Sequence, residues 1–202
     1  MDEFPVLNTT DLDPAQKDLW DELTIGPRGF YVGGPDARRL PDLYNAWLQF
    51  PEFGTTMLRL GDHVRACREL NGRLREIVVL TTSARLGAMV EFDFHVPFAR
   101  NEGLEDEVIA AIREGAAPPF SERSDAVVHD ANIQLLERAT LAPELREEML
   151  GLLGFRGLMQ LVAVVTLYQA TAYTTNLARV RLADDFSADE RQLRDFFAGR
   201  RG

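Results

Sequence analysis

The sequence predicts an all-α protein, and three observations predict it. Apolar residues recur at three- and four-residue spacing through most of the chain. Helix starts and stops are marked by Asp13-Pro14, Asn71-Gly72 and Gly103. No turn chemistry joins two alternating segments as a hairpin, so no sheet is expected.

The elements follow in order. Residues 1–12 read as an irregular lead-in. Asp13 supplies a capping acceptor and Pro14 sits where no amide donor is needed, so a helix starts there and runs through Trp20 to about Thr24. Residues 26–41 are rich in Gly and Pro and form a long loop, of the kind that often serves or covers a site. A short helix spans Asp42 to Phe50. Pro51 opens the next, on which Phe53, Met57, Leu60, Val64 and Cys67 share one stripe. That stripe places Cys67 in the core as a packed thiol rather than a nucleophile.

Asn71-Gly72 ends that run. Leu74, Ile77, Val78, Thr81 and Ala84 then mark a helix from Arg73 to Leu86. Its IVVLTT stretch would also permit a strand, but every neighbour is helical. A helix from Ala88 reaches about Asn101, with Pro97 as an internal kink and Gly103 as its stop. Residues 105–114 make a short helix with glutamates at its positive end. Ser121 to Asp125 begin a long helix to about Thr140. Ala142–Leu153 and Phe155–Val180 follow; the second is apolar on nearly every face from Leu158 to Ala172, which predicts a central, buried helix. The tail holds one weakly amphipathic stretch, Ala188–Phe197. The predicted organisation is an N-terminal extension and loop over 1–41, a helical domain over 42–182 and a C-terminal tail over 183–202.

Composition narrows the function. Of 202 residues, 46% are apolar and 27% charged, which fits a globular protein and excludes disordered and fibrous classes. Asp plus Glu outnumber Lys plus Arg by 32 to 22, and the net charge of −10 opposes nucleic acid and anionic lipid alike. One cysteine forms no intrachain disulfide and suits a reducing compartment. The acidic N-terminus lacks the features of a signal peptide. The most apolar run, Leu158 to Tyr168, falls short of the ~18–20 residues of a membrane span. A cytoplasmic protein with a small-molecule substrate is expected, with neither nucleic acid nor membrane as a partner.

There is no Cys-x-x-Cys, Walker loop, Gly-x-Gly-x-x-Gly or His-Glu-x-x-His. Of His63, His95 and His129 only His63 has a His or Cys three or four residues away, Cys67, and one such pair alone does not make a metal site, so neither a metal nor a cofactor is expected. His63 and His129 stand among charged residues and read as surface side chains. The informative segment is Arg73 to Gly103. Glu91 and His95, four apart, are neighbours on one helix face. Glu76 lies among Leu74, Ile77 and Val78, where a carboxylate must be half buried or paired. Two carboxylates and an imidazole are the least that general acid–base chemistry needs. The same residues also make ordinary helix contacts: Glu91–His95 as a surface pair, Glu76 as a structural partner of Arg73 or Arg75, and Phe92, Phe94 and Phe98 as core.

At these residues the chain resembles the carboxymuconolactone decarboxylase and alkylhydroperoxidase D-like superfamily. The resemblance is carried by Arg75-Glu76, Ala88, Glu91, His95-Val96-Pro97-Phe98-Ala99 and Gly103-Leu104. The run EDEVIAAIREG adds to it, as do Tyr168 and Asn176 in the place of a recurring Tyr…Asn pattern. It spans roughly residues 42–180. In the alkylhydroperoxidase branch two cysteines occupy the positions of Ala88 and Glu91; without them no thiol–disulfide cycle runs. The Glu-x-x-x-His form is similar to the decarboxylase branch.

The resemblance implies a multi-helical subunit that assembles as a trimer or hexamer. It also implies a cofactor-free acid–base lyase, decarboxylating or isomerising a small unsaturated lactone or carboxylic acid. In that reading His95 moves the proton, Glu91 orients and charges it, and Glu76 is a second acid or base. Arg85 is the nearest cation in sequence for a substrate carboxylate. Two alternatives stand beside it. One is a non-catalytic binding module with its pocket closed by Phe92, Phe94 and Phe98. The other is peroxidase activity through Cys67, which the missing cysteine pair disfavours.

Overall fold

The computed structural model describes residues 4–26 and 28–181. Among them there are nine helices and no strand: α1 (Pro14–Ile25), α2 (Gly29–Val32), α3 (Asp42–Leu48), α4 (Pro51–Arg65), α5 (Gly72–Arg85), α6 (Met89–Asn101), α7 (Asp106–Glu114), α8 (Arg123–Arg138) and α9 (Pro143–Leu177). The all-α class read from the sequence is what the chain adopts. Two compact units divide it: His63–Tyr173 is one, and the described residues on either side make the other.

In the flanking unit, α1 starts where the Asp13 carboxylate accepts from the Gln16 backbone amide at 2.8 Å and the Gln16 side-chain oxygen accepts from the Asp13 backbone amide at 3.0 Å. This reciprocal cap satisfies two donors that a helix start otherwise leaves open. Leu19, Trp20 and Leu23 bury one face of α1, and Trp47 and Leu48 do so on α3. The Gln16 amide also donates to the Leu48 carbonyl at 3.0 Å. Such ties hold α3 to α1. The 26–41 loop is anchored rather than loose. Arg28, 4% exposed, donates to Asp62 at 2.9 Å and to the Leu58 carbonyl at 3.3 Å.

The second unit is organised around α5. Its residues from Leu74 to Ser83 are all buried. That explains the ambiguous IVVLTT stretch: a helix enclosed on every side carries apolar residues all round and loses its periodic signature. Asn71 caps α5 by accepting from the Leu74 amide at 3.0 Å. α6, α7 and α8 surround it. Arg73, in the first turn, reaches Asp125 at 2.8 Å, Glu105 at 2.7 Å and the Gly103 carbonyl. One guanidinium thus fastens the starts of α5 and α8 to the α6–α7 turn. On the far side, the fully buried Asn132 of α8 donates to the Val78 carbonyl at 3.0 Å and to the Thr82 hydroxyl at 3.2 Å.

Several expectations are corrected. α4 ends at Arg65, so Cys67 lies in the turn beyond it, half-buried rather than in the core, its thiol 3.5 Å from the His63 carbonyl. His129 is not a surface residue: its side chain is 14% exposed and its ring packs near Phe120, centroids 5.4 Å apart. α9 is broken at Gly154, where φ is 65° and ψ −177°, a region essentially only glycine occupies. Beyond the break the helix is not buried all round. Leu161, Val164, Val165 and Ala172 face inward, whereas Phe155, Met159 and Tyr173 are 72, 62 and 59% exposed. The amphipathic stretch expected at Ala188–Phe197 lies outside the described residues.

Replacing Asn132 by Ala removes both cross-helix hydrogen bonds and leaves their acceptors dry. A loss of about 1–3 kcal/mol is expected. That corresponds to roughly 2–4 °C of melting temperature for each kcal/mol in a chain of this size. Thermal melts followed by circular dichroism measure it, and an unchanged melting temperature contradicts the role given to Asn132.

Candidate functional site

α5 and α6 form a hairpin turned by Leu86, Gly87 and Ala88. The turn brings the first part of α5 beside the middle of α6, and so Glu76 beside His95. Glu76 Oε2 lies 2.8 Å from His95 Nδ1. One turn earlier on α6, Glu91 Oε1 lies 3.3 Å from His95 Nε2. Both imidazole nitrogens therefore face a carboxylate, an arrangement that suits the doubly protonated ring. The three residues that the sequence singled out converge: Glu76 is 1% exposed, Glu91 and His95 each 8%.

A fourth charge completes the group. Arg75 Nε donates to Glu76 Oε1 at 3.3 Å, and Arg75 Nη2 lies 3.9 Å from Glu102 Oε1. Glu102 sits directly over Gly72: a Cβ there would fall 2.0 Å from its carboxylate, so glycine leaves the room this side chain occupies. Around the imidazole, Tyr168 of α9 meets the ring edge-on with centroids 5.1 Å apart and planes at 88°. Phe98 and Phe94 of α6 lie at 5.1 and 5.5 Å. The histidine is thus wrapped by aromatic rings on one side and carboxylates at its two nitrogens.

The electrostatics follow from this geometry. Burial by itself would lower the His95 pKa. The charge and hydrogen bond of Glu76, followed by those of Glu91, outweigh burial and raise it from 6.5 to about 9. Burial by itself would raise Glu76; the charge and hydrogen bond of His95, then those of Arg75, hold it below its ordinary 4.5 instead. At neutral pH the site is a carboxylate–imidazolium pair.

Arg85 does not take part. It stands nine residues along α5 from Glu76, about 13 Å at the rise of an α-helix. Its guanidinium lies 3.1 Å from Glu137, both side chains nearly half exposed. Sequence proximity to the motif is not spatial proximity, because nine residues is two and a half turns. The cation actually beside the carboxylates is Arg75, which the residue-by-residue reading treated only as a structural partner. The available signal was an arginine inside an otherwise enclosed apolar helix, where a cation persists only if paired. Cys67 is outside the group, and burial, opposed by Arg75, raises its pKa, leaving a thiol rather than a thiolate. Asn176 is exposed. Among the described residues no group of His, Cys, Asp and Glu has the arrangement of a metal site.

Residues 51–129 match the model of the Carboxymuconolactone decarboxylase family. The matched stretch runs from α4 into α8 and contains Glu76, Glu91 and His95. Among solved structures, the chain is similar to the debrominase Bmp8 in a cysteine-to-alanine variant bound to 2,3,4-tribromopyrrole. That likeness has a TM-score of 0.66 at 13% identity and covers 96% of this chain and 100% of the other. The apo form of Bmp8 is similar at a TM-score of 0.64 and 13% identity, over 96 and 97% of the two chains. At that identity the fold is what is shared. No curated protein matches the sequence.

The paired groups have a pH signature. A histidine whose pKa is raised on folding adds stability that is complete below its unfolded value near 6.5 and lost as pH rises through about 9. A glutamate whose pKa is lowered adds stability present above 4.5 and lost as pH falls through its folded value. Stability should therefore be level between about pH 4.5 and 6.5, fall as pH rises from there through about 9, and fall again in acid. In Glu76→Gln the alkaline decline should shrink and the His95 ring should titrate nearer 6.5 by NMR. A ring still titrating near 9 in that variant would contradict the assignment to Glu76.

Proposed function

We propose that this protein is a cofactor-free acid–base catalyst that decarboxylates or isomerises a small unsaturated lactone or carboxylic acid. The observation that carries this reading is the imidazolium of His95, held between two carboxylates and largely out of water. A raised pKa makes His95 a proton donor at neutral pH, charged before substrate arrives. Loss of carbon dioxide, or migration of a double bond, leaves electron density on carbon. His95 protonates that carbon from Nε2, the nitrogen turned toward Glu91. In isomerisation Glu91, one helical turn away, takes the proton that leaves the first carbon and passes it back to His95; in decarboxylation the proton stays on the product and His95 is recharged from solvent.

The geometry supports a narrower role for Glu76 than that of a second acid or base. Its side chain is 2% exposed and hydrogen-bonded through both oxygens, to His95 and to Arg75. It positions the ring and stabilises the imidazolium, while Arg75 keeps it ionised. With Glu102 beside Arg75, the group holds two cations, His95 and Arg75, and three carboxylates, Glu76, Glu91 and Glu102. Both Arg75 and Arg85 are already paired, which disfavours a dicarboxylate and supports a substrate with at most the one carboxylate that decarboxylation removes. The aromatic surroundings of His95 suit a flat, unsaturated ring, and the tribromopyrrole bound by Bmp8 is a ligand of that kind. A sulfur-dependent reaction is disfavoured, because the single thiol of the chain, Cys67, lies outside the site.

Activity is to be measured against a panel of small unsaturated lactones and the corresponding acids. Replacing His95 by Ala or Gln should abolish turnover, a loss of about 10²–10⁴-fold if general acid catalysis is the main contribution. Glu91→Gln should lower kcat more than it raises KM. Glu76→Gln should move the pH optimum rather than simply scale the rate, because it acts through the pKa of His95. Cys67→Ser should retain full activity. Turnover that survives His95→Ala, or that vanishes in Cys67→Ser, overturns the proposal.

A further inference from the structure

The proposed chemistry leaves Glu102 without a task. Along α6, Glu91 and His95 are four residues apart, and Glu102 follows seven later at the end of the helix. Seven residues make two turns to within about 20°, so these side chains share one side of α6. On the facing helix stand Gly72, Arg75 and Glu76. Across the hairpin the charges alternate: Glu102, Arg75, Glu76, His95, Glu91. Their successive separations are 3.9, 3.3, 2.8 and 3.3 Å. We infer that Glu102 is a positioning residue that draws Arg75 away from Glu76 and so keeps His95 a proton donor, and that Gly72 is the seat it needs.

The first support is that room is made for this carboxylate. A Cβ at Gly72 would overlap both Glu102 oxygens and the carbon between them, so any residue with a side chain evicts it. Nothing else in the turn asks for glycine. The cap of α5 is made by Asn71, and Gly72 does not take the positive φ of Gly87 or Gly103. Glycine is otherwise a poor choice within a helix. The second support is the length of the Arg75–Glu102 contact. At 3.9 Å it is an attraction of charges without a hydrogen bond, so Glu102 acts on Arg75 by its charge.

The consequence for His95 follows from sign. The groups that face its ring are Glu76 from α5, Glu91, Phe94 and Phe98 from α6, and Tyr168 from α9. Glu102 lies beyond them, behind Arg75. With Glu102 in place, three carboxylates surround two cations, and a surplus of negative charge favours the imidazolium. Without it, Arg75 leans on Glu76 alone, and Glu76 holds the imidazolium less firmly. A purely structural duty for Glu102 is already filled by Arg73, which fastens the same corner through Gly103, Glu105 and Asp125. The benefit to catalysis rests on His95 being the acid of the proposed reaction; the effect on its charge does not.

The test is the titration of the His95 ring by NMR in the full chain, with circular dichroism showing that each variant is folded. Glu102→Gln should lower the His95 pKa by about half a unit, as expected of one partly screened charge ~10 Å away. Gly72→Ala keeps the carboxylate but takes its seat, and should lower the pKa by a similar amount. The two changes together should lower it no further than Glu102→Gln alone. Glu105→Gln, which removes a carboxylate from Arg73, should leave the ring where it is. An unmoved or raised pKa in Glu102→Gln overturns the inference, as do additive shifts in the double variant or an equal fall in Glu105→Gln. With a substrate in hand, the alkaline limb of kcat should move down with the ring while KM holds. If wild type turns over none of the lactones and acids, the proposed reaction fails and the titration still decides the role of Glu102. If His95→Ala is inactive while Glu102→Gln titrates like wild type, the reaction stands and this role falls.

Discussion

A carboxylate with almost no solvent contact, 2.8 Å from an imidazole, is the constraint around which the second unit is built. Taking either charge out of water alone costs several kcal/mol, and removing one partner of a buried pair typically costs about 3–5 kcal/mol. Glu76 and His95 therefore have to arrive together. That demands a tight α5–α6 hairpin, an enclosed α5, and a second ring of partners. Arg75 takes the oxygen of Glu76 that His95 leaves, Glu91 takes the other nitrogen of the ring, and Gly72 leaves room for Glu102 near Arg75. Arg73, one turn earlier, holds the frame through Asp125 and Glu105.

The same arrangement separates roles that residue types alone leave merged. Two glutamates flank one histidine, yet they differ in access. Glu76 is sealed behind the ring, and in the proposed chemistry it acts only through it. Glu91 and His95 keep the small exposure through which anything could reach them. A histidine held as a cation by two carboxylates is an acid in waiting rather than a base. In the proposed chemistry, the upward shift of His95 puts proton donation first.

Much of this was legible in the sequence, and what was not has physical reasons. Asp13-Pro14, Asn71-Gly72 and Gly103 mark their helix ends because caps and stops are local chemistry. Glu91 and His95 were readable as neighbours because four residues is one turn, and Glu76 because a carboxylate among Leu74, Ile77 and Val78 needs a partner. Arg85 shows the limit: adjacency along the chain says nothing about azimuth or distance on a helix of several turns. Arg75 was hidden for the opposite reason, since a buried cation and a surface one are the same letter. Periodicity placed both α5 and α9 as helices but did not read their burial. α5 is enclosed although it carries Arg75, Glu76, Thr81, Thr82 and Ser83. α9 is apolar nearly all round from Leu158 to Ala172 yet keeps one face exposed.

The break at Gly154 has a further bearing on the fold. Without it, Pro143–Leu177 would be one rod about 50 Å long, and the direction of its early turns would dictate where Tyr168 points. A single residue in a conformation open essentially only to glycine lets the two arms take unrelated headings. A connecting loop would achieve the same redirection only by ordering several residues, at roughly 1–2 kcal/mol of backbone entropy for each. The molecule thus changes course at one Cα, and any side chain grafted onto that atom would force the two arms back toward a common axis.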